Sequence, residues 1–92
     1  MRQSPEFFGD EELDLLYIGK KLKHSLRLEE ALTAAGIDYA VEVDYYTGGV
    51  LFRSTRAGAF FYVRPDDRPR AVDVVKSEGL EPAIGSDLPA ET

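Results

Sequence analysis

The chain contains one structural unit twice, with a hairpin between the two copies. Each copy is an aromatic-rich strand, then an amphipathic helix, then a glycine and one apolar residue, and the copies span 13–37 and 59–80. Both helix ends have the Schellman pattern, in which the glycine takes a left-handed conformation and the next apolar residue packs back on the last turn. This pattern predicts a small α+β domain.

The length of 92 residues allows one hydrophobic core. A chain of this size buries about 64% of its extended surface on folding, which leaves no room for a second core. The sequence has no cysteine, which excludes disulfides, thiol catalysis and thiolate metal sites. Oligomerisation is therefore a second source of stability open to this chain.

The net charge of −6 argues against a general nucleic-acid or anionic-membrane binder, because such proteins attract phosphate through positive potential. No stretch approaches the ~20 apolar residues that cross a bilayer, and the first five residues lack the apolar run of a signal peptide. We therefore expect a cytoplasmic protein without membrane association.

Five regular elements are predicted in the order β-α-β-β-α. They are a strand over 13–18, a helix within 22–35, a strand over 39–46, a strand over 59–64 and a helix with Pro69 in its first turn. Ser25 is a possible N-cap for a shorter first helix, and Asp66 with Asp67 a carboxylate cap for the second. The segment 47–58 is either a small extra strand or an extended hairpin tip.

The predicted domain spans residues 13–84. Residues 1–12 are expected to form a flexible acidic lead-in, and residues 85–92 a disordered tail. Ala83 and Ile84 are a weak candidate for a fourth strand. The order β-α-β-β-α is that of a ferredoxin-like sandwich with a weak or missing fourth strand.

This order places the third strand between the first two, which run parallel to each other. The loop after the first strand and the hairpin tip then lie at the same end of the sheet. The basic residues expected to meet there are Lys20, Lys21, Lys23, Arg27, Arg53 and Arg56. The positive end of a helix dipole repels lysine charges near the helix N-terminus, and a bound anion would offset this repulsion. These residues therefore form either an anionic-effector site or a solvated basic surface.

Several blocks resemble a known family. They are LLYI at 15–18, AAGI at 34–37, AFFYV at 59–63 followed by PDD at 65–67, and EGL at 78–80. The pattern is similar to that of small bacterial proteins described as signal-transducing proteins, which share a ferredoxin-like fold with the nitrogen regulatory signal transducers. The resemblance implies a regulatory role in which the segment between strands two and three contacts partners.

A second resemblance is to RNA recognition modules. LYIGK at 16–20 is similar to their strand-one motif, and RAGAFFYV at 56–63 to their strand-three motif, which stacks bases on exposed aromatic rings. Tyr17, Phe60 and Tyr62 are expected to share one open face of the sheet. A dimer would also bury such a face, and the aromatic residues expected at that interface are Tyr17, Phe60, Tyr62, Tyr45 and Tyr46.

Catalytic chemistry is not indicated. His24 is the sole histidine, and its neighbour Ser25 is not oriented toward it by adjacency on a helix. We expect no enzymatic activity, no metal and no cofactor. The chain is interpreted as a regulatory or adaptor domain that self-associates or binds an unknown protein partner, with an RNA-binding module and a ligand-free accessory domain as alternatives.

Overall fold

Three strands form one antiparallel sheet in the computed structural model, which describes residues 1–48 and 54–83. The strands are β1 (Asp14–Gly19), β2 (Tyr39–Gly48) and β3 (Ser54–Val63). The helices in these ranges are α1 (Pro5–Phe8), α2 (Leu22–Ala34) and α3 (Arg68–Ser77), with a 3-10 turn at Pro65–Asp67 before α3. The chain is an α+β protein, as predicted.

β3 lies in the middle of the sheet, between β1 and β2. It pairs antiparallel with both neighbours, so β1 and β2 run in the same direction. This confirms the predicted strand order. β1 ends at the pair Gly19 with Ala59, whereas β2 and β3 continue pairing to Gly48 with Ser54. The two strands therefore extend past β1 as an extended hairpin, whose tip at 49–53 lies outside the described residues.

A β-bulge at Leu16 decides which side chains of β1 face the core. Leu15 pairs with Tyr62 and Tyr17 pairs with Phe61, so β1 has one extra residue between these pairs. Cross-strand partners share a face of the sheet. Tyr17 therefore lies on the side of Phe61, and their ring centroids are 5.8 Å apart. The prediction that Tyr17 shares an open face with Phe60 and Tyr62 is wrong, because it requires a β1 without this bulge.

Both helix ends are Schellman motifs, as predicted. Gly36 has φ of 71°, and the amide of Ile37 donates to the carbonyl of Leu32 at 3.0 Å. Gly79 has φ of 74°, and the amide of Leu80 donates to the carbonyl of Val75 at 3.1 Å. A β carbon strains this left-handed backbone, which is why glycine occupies both positions.

The predicted helix starts differ from the observed ones. α2 begins at Leu22, and Ser25 lies inside it with its amide donating to the carbonyl of Lys21 at 3.1 Å, so Ser25 is not an N-cap. Asp67 precedes α3 but its side chain makes no capping hydrogen bond. Pro69 lies in the first turn of α3, as expected.

The core lies between the sheet and the helices α2 and α3. Its fully buried side chains are Leu16, Leu28, Leu32, Ile37, Phe61, Val63, Ala71 and Val75. The ring of Tyr39 stacks on that of Phe61 with centroids 5.9 Å apart. The two helices thus bury one face of the sheet, in agreement with a single core.

The segment before β1 contains structure that its interpretation as a lead-in did not include. Phe8, in α1, is 3% exposed, and the Arg64 guanidinium lies 5.0 Å from its ring centroid. Arg2 forms a parallel bridge with Tyr39, so the start of the chain pairs with the beginning of β2. Phe7 is 49% exposed.

The segment after α3 returns to the free edge of β1. The amide of Ala83 donates to the carbonyl of Leu16 at 2.8 Å, and Arg68 Nη2 donates to the carbonyl of Ala83 at 2.8 Å. Ala83 therefore occupies the side of β1 where a fourth strand is expected. Ile84 and the predicted tail at 85–92 lie outside the described residues.

Candidate ligand cavity

A cavity of about 270 Å³ lies between the first turns of α2 and the helix-facing side of the sheet. It is found where β1 ends, next to the point at which β2 and β3 continue without a third strand. Its lining is Arg2, Gly19, Lys20, Leu22, Ser25, Glu29, Val41, Val43, Gly58, Ala59 and Phe61. All three strands and α2 thus contribute to one cavity.

A close approach of α2 to β1 forms the floor of this cavity. A β carbon at Gly19 would overlap the hydroxyl of Ser25 and would lie 3.3 Å from Ser25 Cβ. Only a residue without a side chain allows the helix to pass at this distance. Gly19 and Ser25 therefore belong together as a packed pair.

Ser25 is the buried polar residue found among the described positions, at 6% exposure. Its hydroxyl makes no hydrogen bond to another described residue, and no fully buried polar side-chain atom there lacks a partner. The hydroxyl therefore keeps contact with solvent from within the cavity. Serine at such a site has hydrogen-bonding capacity that its own fold does not use.

The charges around the cavity are unequal. Arg2 Nη1 lies 3.6 Å from Glu29 Oε1, and the same carboxylate oxygen accepts a hydrogen bond from the Tyr39 hydroxyl at 3.2 Å. Burial raises the pKa of Tyr39. Lys20 is exposed and has no ion pair with a described residue. Among the described residues of the lining, the charge without an ion-pair partner is that of Lys20.

The N-terminus of α2 adds to this positive potential. Its N-cap residue, Lys21, makes no side-chain capping bond, and its first turn has no acidic residue. The first amides of such a helix lack partners within the helix, and the helix dipole favours negative charge there. Lys20 and Leu22, on either side of this start, both line the cavity.

The structure separates the basic residues that the sequence grouped together. Lys20 lines the cavity, while Lys21 and Lys23 are exposed beside it without lining it. Arg27 contacts the end of α3: its Nη2 donates to the carbonyl of Glu78 at 2.7 Å, and its Nε lies 3.6 Å from Glu78 Oε1. Arg53 and the side chain of Arg56 lie outside the described residues.

The aromatic residues predicted for an open face are also separated. Tyr17 is 6% exposed within the core, where burial raises its pKa and the nearby Arg27 lowers it. Phe60, on the opposite face, is 5% exposed, so its ring is not available for stacking. Tyr62 is half-buried. The side chains of Tyr45 and Tyr46 lie outside the described part of the chain.

A second cavity, of about 330 Å³, lies on the other face of the sheet. Phe8, Leu13, Ala40 and Tyr62 line it together with Gly9, Glu11 and Glu42. Glu11 is bound there, since its Oε1 lies 3.2 Å from Arg64 Nε. α1 thus covers this face in part.

The outer edge of β2 is paired only at its start. The amide of Gln3 donates to the carbonyl of Tyr39 at 2.8 Å, and the amide of Tyr39 donates to the carbonyl of Met1 at 3.1 Å. Because alternate residues of a strand direct their amides to the same edge, Val41 and Val43 present theirs outward. No hydrogen bond outside the sheet ladder joins Val41 or Val43 to another described residue.

The described residues do not meet the requirements of a metal site or of a membrane-spanning helix. No group of three or more His, Cys, Asp or Glu side chains in residues 1–48 and 54–83 could hold a metal ion. None of the helices described is long and apolar enough to cross a membrane.

Sequence reasoning missed the residues of this cavity other than Lys20. The sequence pattern indicates Ser25 as a possible N-cap and gives no signal for Arg2 or Glu29. The sequence feature that could have indicated this cavity is Gly19, at the end of β1. A glycine at a strand end often allows another backbone or side chain to approach closely.

The described residues thus form a small α+β protein with a cavity beside α2 and an open edge along β2. No family model matches the sequence, and no curated protein or solved structure is significantly similar to it.

Proposed function

We propose that this chain is a non-enzymatic regulatory or adaptor domain that binds an extended segment of another protein along the edge of β2. The observation that carries the proposal is the outward backbone of Val41 and Val43, which has no partner among the described residues. An exposed strand edge pairs readily with an extended peptide, whose main-chain hydrogen bonds supply affinity. The chain already uses this mode once, where its first residues pair with Tyr39.

The side chains at this edge favour a segment that alternates basic and apolar residues. Val43 is 67% exposed on the helix-facing side, next to Leu22, which is 74% exposed and lines the same cavity. Glu42 is exposed on the opposite side. Cross-strand pairs of opposite charge and of apolar residues stabilise a sheet, and the net charge of −6 attracts a basic partner over a longer range.

A second copy of this chain is the other occupant to consider. Antiparallel pairing of two β2 strands about Glu42, which matches Val41 of one copy with Val43 of the other, would place the two Glu42 side chains opposite each other. Like charges directly opposite each other destabilise a sheet. A basic segment of a different protein therefore fits this edge better than a self-pairing in that register.

RNA binding has less support than protein binding. The three rings required for base stacking do not share one accessible face, since Tyr17 is in the core and Phe60 is buried. The net charge opposes phosphate.

We further infer that the domain is ferredoxin-like with an incomplete fourth strand, and that it acts in the cytoplasm. The strand order β1-β3-β2 and the bond from Ala83 to Leu16 support this fold. The resemblance to bacterial signal-transducing proteins agrees with a regulatory role.

The test uses a fluorescently labelled peptide of alternating lysine and valine, with an alternating glutamate and valine peptide as the charge control. Fluorescence anisotropy should show saturable binding of the first peptide only. Val43→Pro removes the outward amide and should weaken binding at least about tenfold, whereas Val43→Thr keeps that amide and should change it less than about threefold.

Light scattering coupled to gel filtration separates the two occupants. A monomer that binds the lysine peptide supports the proposal. A dimer that Val43→Pro converts to monomer would overturn it in favour of self-association through the same edge. Equal affinity for both peptides would remove the role assigned to charge.

A further inference from the structure

We propose that the cavity between α2 and the sheet binds a small monocarboxylate with a short apolar body. This ligand goes beyond the strand-edge function and does not depend on it. One end of the cavity is positively charged and its walls are mainly apolar, and these two features define the ligand.

The cavity is the right size for a short aliphatic chain. At about 270 Å³ it is slightly smaller than the ~300–1,000 Å³ of pockets that take drug-sized ligands. The walls are mainly apolar, formed by Leu22, Val41, Val43, Ala59 and Phe61. Such walls favour a hydrocarbon body, because burial of apolar surface from both partners is favourable.

The charged end lies where β1 passes into α2. Lys20 lines the cavity there without an ion pair to a described residue. The start of α2 at Leu22 has no capping side chain and no acidic residue in its first turn. A carboxylate at this point would gain both the lysine charge and unpaired helix amides.

Ser25 supplies an independent sign that a polar group belongs in this cavity. It is 94% buried, since its exposure is 6%, and its hydroxyl has no hydrogen-bond partner among the described residues. The side chain lines the cavity over Gly19. Because solvent still reaches this hydroxyl, its hydrogen-bonding capacity is open to a ligand oxygen in the cavity.

The balance of charges favours a single negative charge over a phosphate ester. Arg2 is already paired with Glu29 at 3.6 Å, and the Glu29 carboxylate itself lines the cavity. Among the described lining residues, a dianion would therefore face the unpaired Lys20 and the Glu29 carboxylate. A monoanion needs only Lys20 and the helix amides, while its apolar body lies away from Glu29.

The test is a titration of ¹⁵N-labelled protein with hexanoate, followed by NMR. Amide signals of Gly19, Ser25 and Val43 should shift saturably, with a dissociation constant of about 1 mM or tighter. Hexanol has the same body without the charge and should bind at least about tenfold more weakly. Inorganic phosphate, which has charge without the body, should produce no saturable shift at Val43.

Matched variants locate the charge. Lys20→Gln should weaken hexanoate binding about fivefold or more, whereas Lys21→Gln, which changes a neighbouring lysine outside the lining, should change it less than about twofold. Ser25→Ala removes the hydroxyl, retains the helix and should weaken binding by about threefold to tenfold.

Three results would overturn the proposal. They are the absence of saturable shifts at about 20 mM hexanoate, equal binding of hexanol and hexanoate, and equal loss in Lys20→Gln and Lys21→Gln. A response to phosphate as strong as that to hexanoate would identify a bare anion site instead. Failure of the lysine and valine peptide to bind β2 leaves all these measurements unaffected.

Discussion

The α carbon of Gly19 packs against the hydroxyl of Ser25, so that a β carbon at position 19 would occupy the space of the serine oxygen. Gly19 closes β1, and Ser25 lies in the first turns of α2. This contact sets how closely the helix lies on the sheet, and with it the depth of the cavity beside them.

Gly19→Ala should destabilise the protein by about 1–3 kcal/mol, since it forces an extra carbon into a packed contact. Ser25→Gly in the same chain should recover part of that loss by removing both atoms in the way. Urea unfolding of the two single variants and the double variant measures the coupling. Additive effects would show that the two residues do not meet in solution.

Phe8→Ala should cost about 3 kcal/mol, because Phe8 is 3% exposed and its ring lies under the Arg64 guanidinium. Phe7→Ala is the matched control for burial, because that ring also lies near the Arg64 guanidinium, at 5.5 Å, but is 49% exposed; its loss should cost less than about 1 kcal/mol. Chemical unfolding compares the two. Equal small losses would mean that α1 contributes little to stability and that residues 1–12 behave as a flexible lead-in.

Arg68→Ala should release the segment after α3 from β1. Arg68 donates to the carbonyls of Ala83 at 2.8 Å and Leu15 at 3.4 Å, and so joins the two. Hydrogen exchange at the Ala83 amide, which donates to Leu16, should speed up about tenfold or more. Arg70→Ala is the control, because Arg70 forms an ion pair with Asp67, at 3.8 Å, and no hydrogen bond to Ala83 or Leu15. If the exchange rate in Arg68→Ala is unchanged, the hydrogen bond from Ala83 to Leu16 is stable without Arg68.

Tyr39 should make the protein sensitive to alkali. Burial raises the pKa of its hydroxyl above the ordinary value of about 10, so the folded state keeps this proton after the unfolded state has lost it. The resulting stability is fully present below pH of about 10 and is lost as the pH rises through the raised pKa.

Tyr39→Phe tests this by urea unfolding at pH of about 8 and about 10.5. The variant should lose less stability between the two pH values than the parent chain. At the lower pH it should be less stable by about 0.5–1.5 kcal/mol, through loss of the hydrogen bond to Glu29 Oε1. If both proteins lose the same free energy of unfolding between the two pH values, another group, for example Tyr17, causes the sensitivity to alkali.

The strand order and both helix ends could be predicted from sequence because their signals are local. Glycine at positions 36 and 79, each followed by an apolar residue, is sufficient to indicate a Schellman motif. The candidate site could be predicted only at Lys20. Arg27 carries the same charge seven residues further along, within α2, yet it binds Glu78, which is 51 residues away in the chain.

The amino-acid sequence by itself determined the element types, their order and the absence of thiol chemistry, since periodicity, turn residues and composition act over a few neighbours. Only the tertiary structure decided which faces those elements present. Because of the bulge at Leu16, Tyr17 lies in the core. Because α2 packs on Gly19, Ser25 lines the cavity and does not cap the helix. Both outcomes depend on contacts between segments that are distant in the chain. In a paired strand, one extra residue moves every side chain that follows to the other face of the sheet.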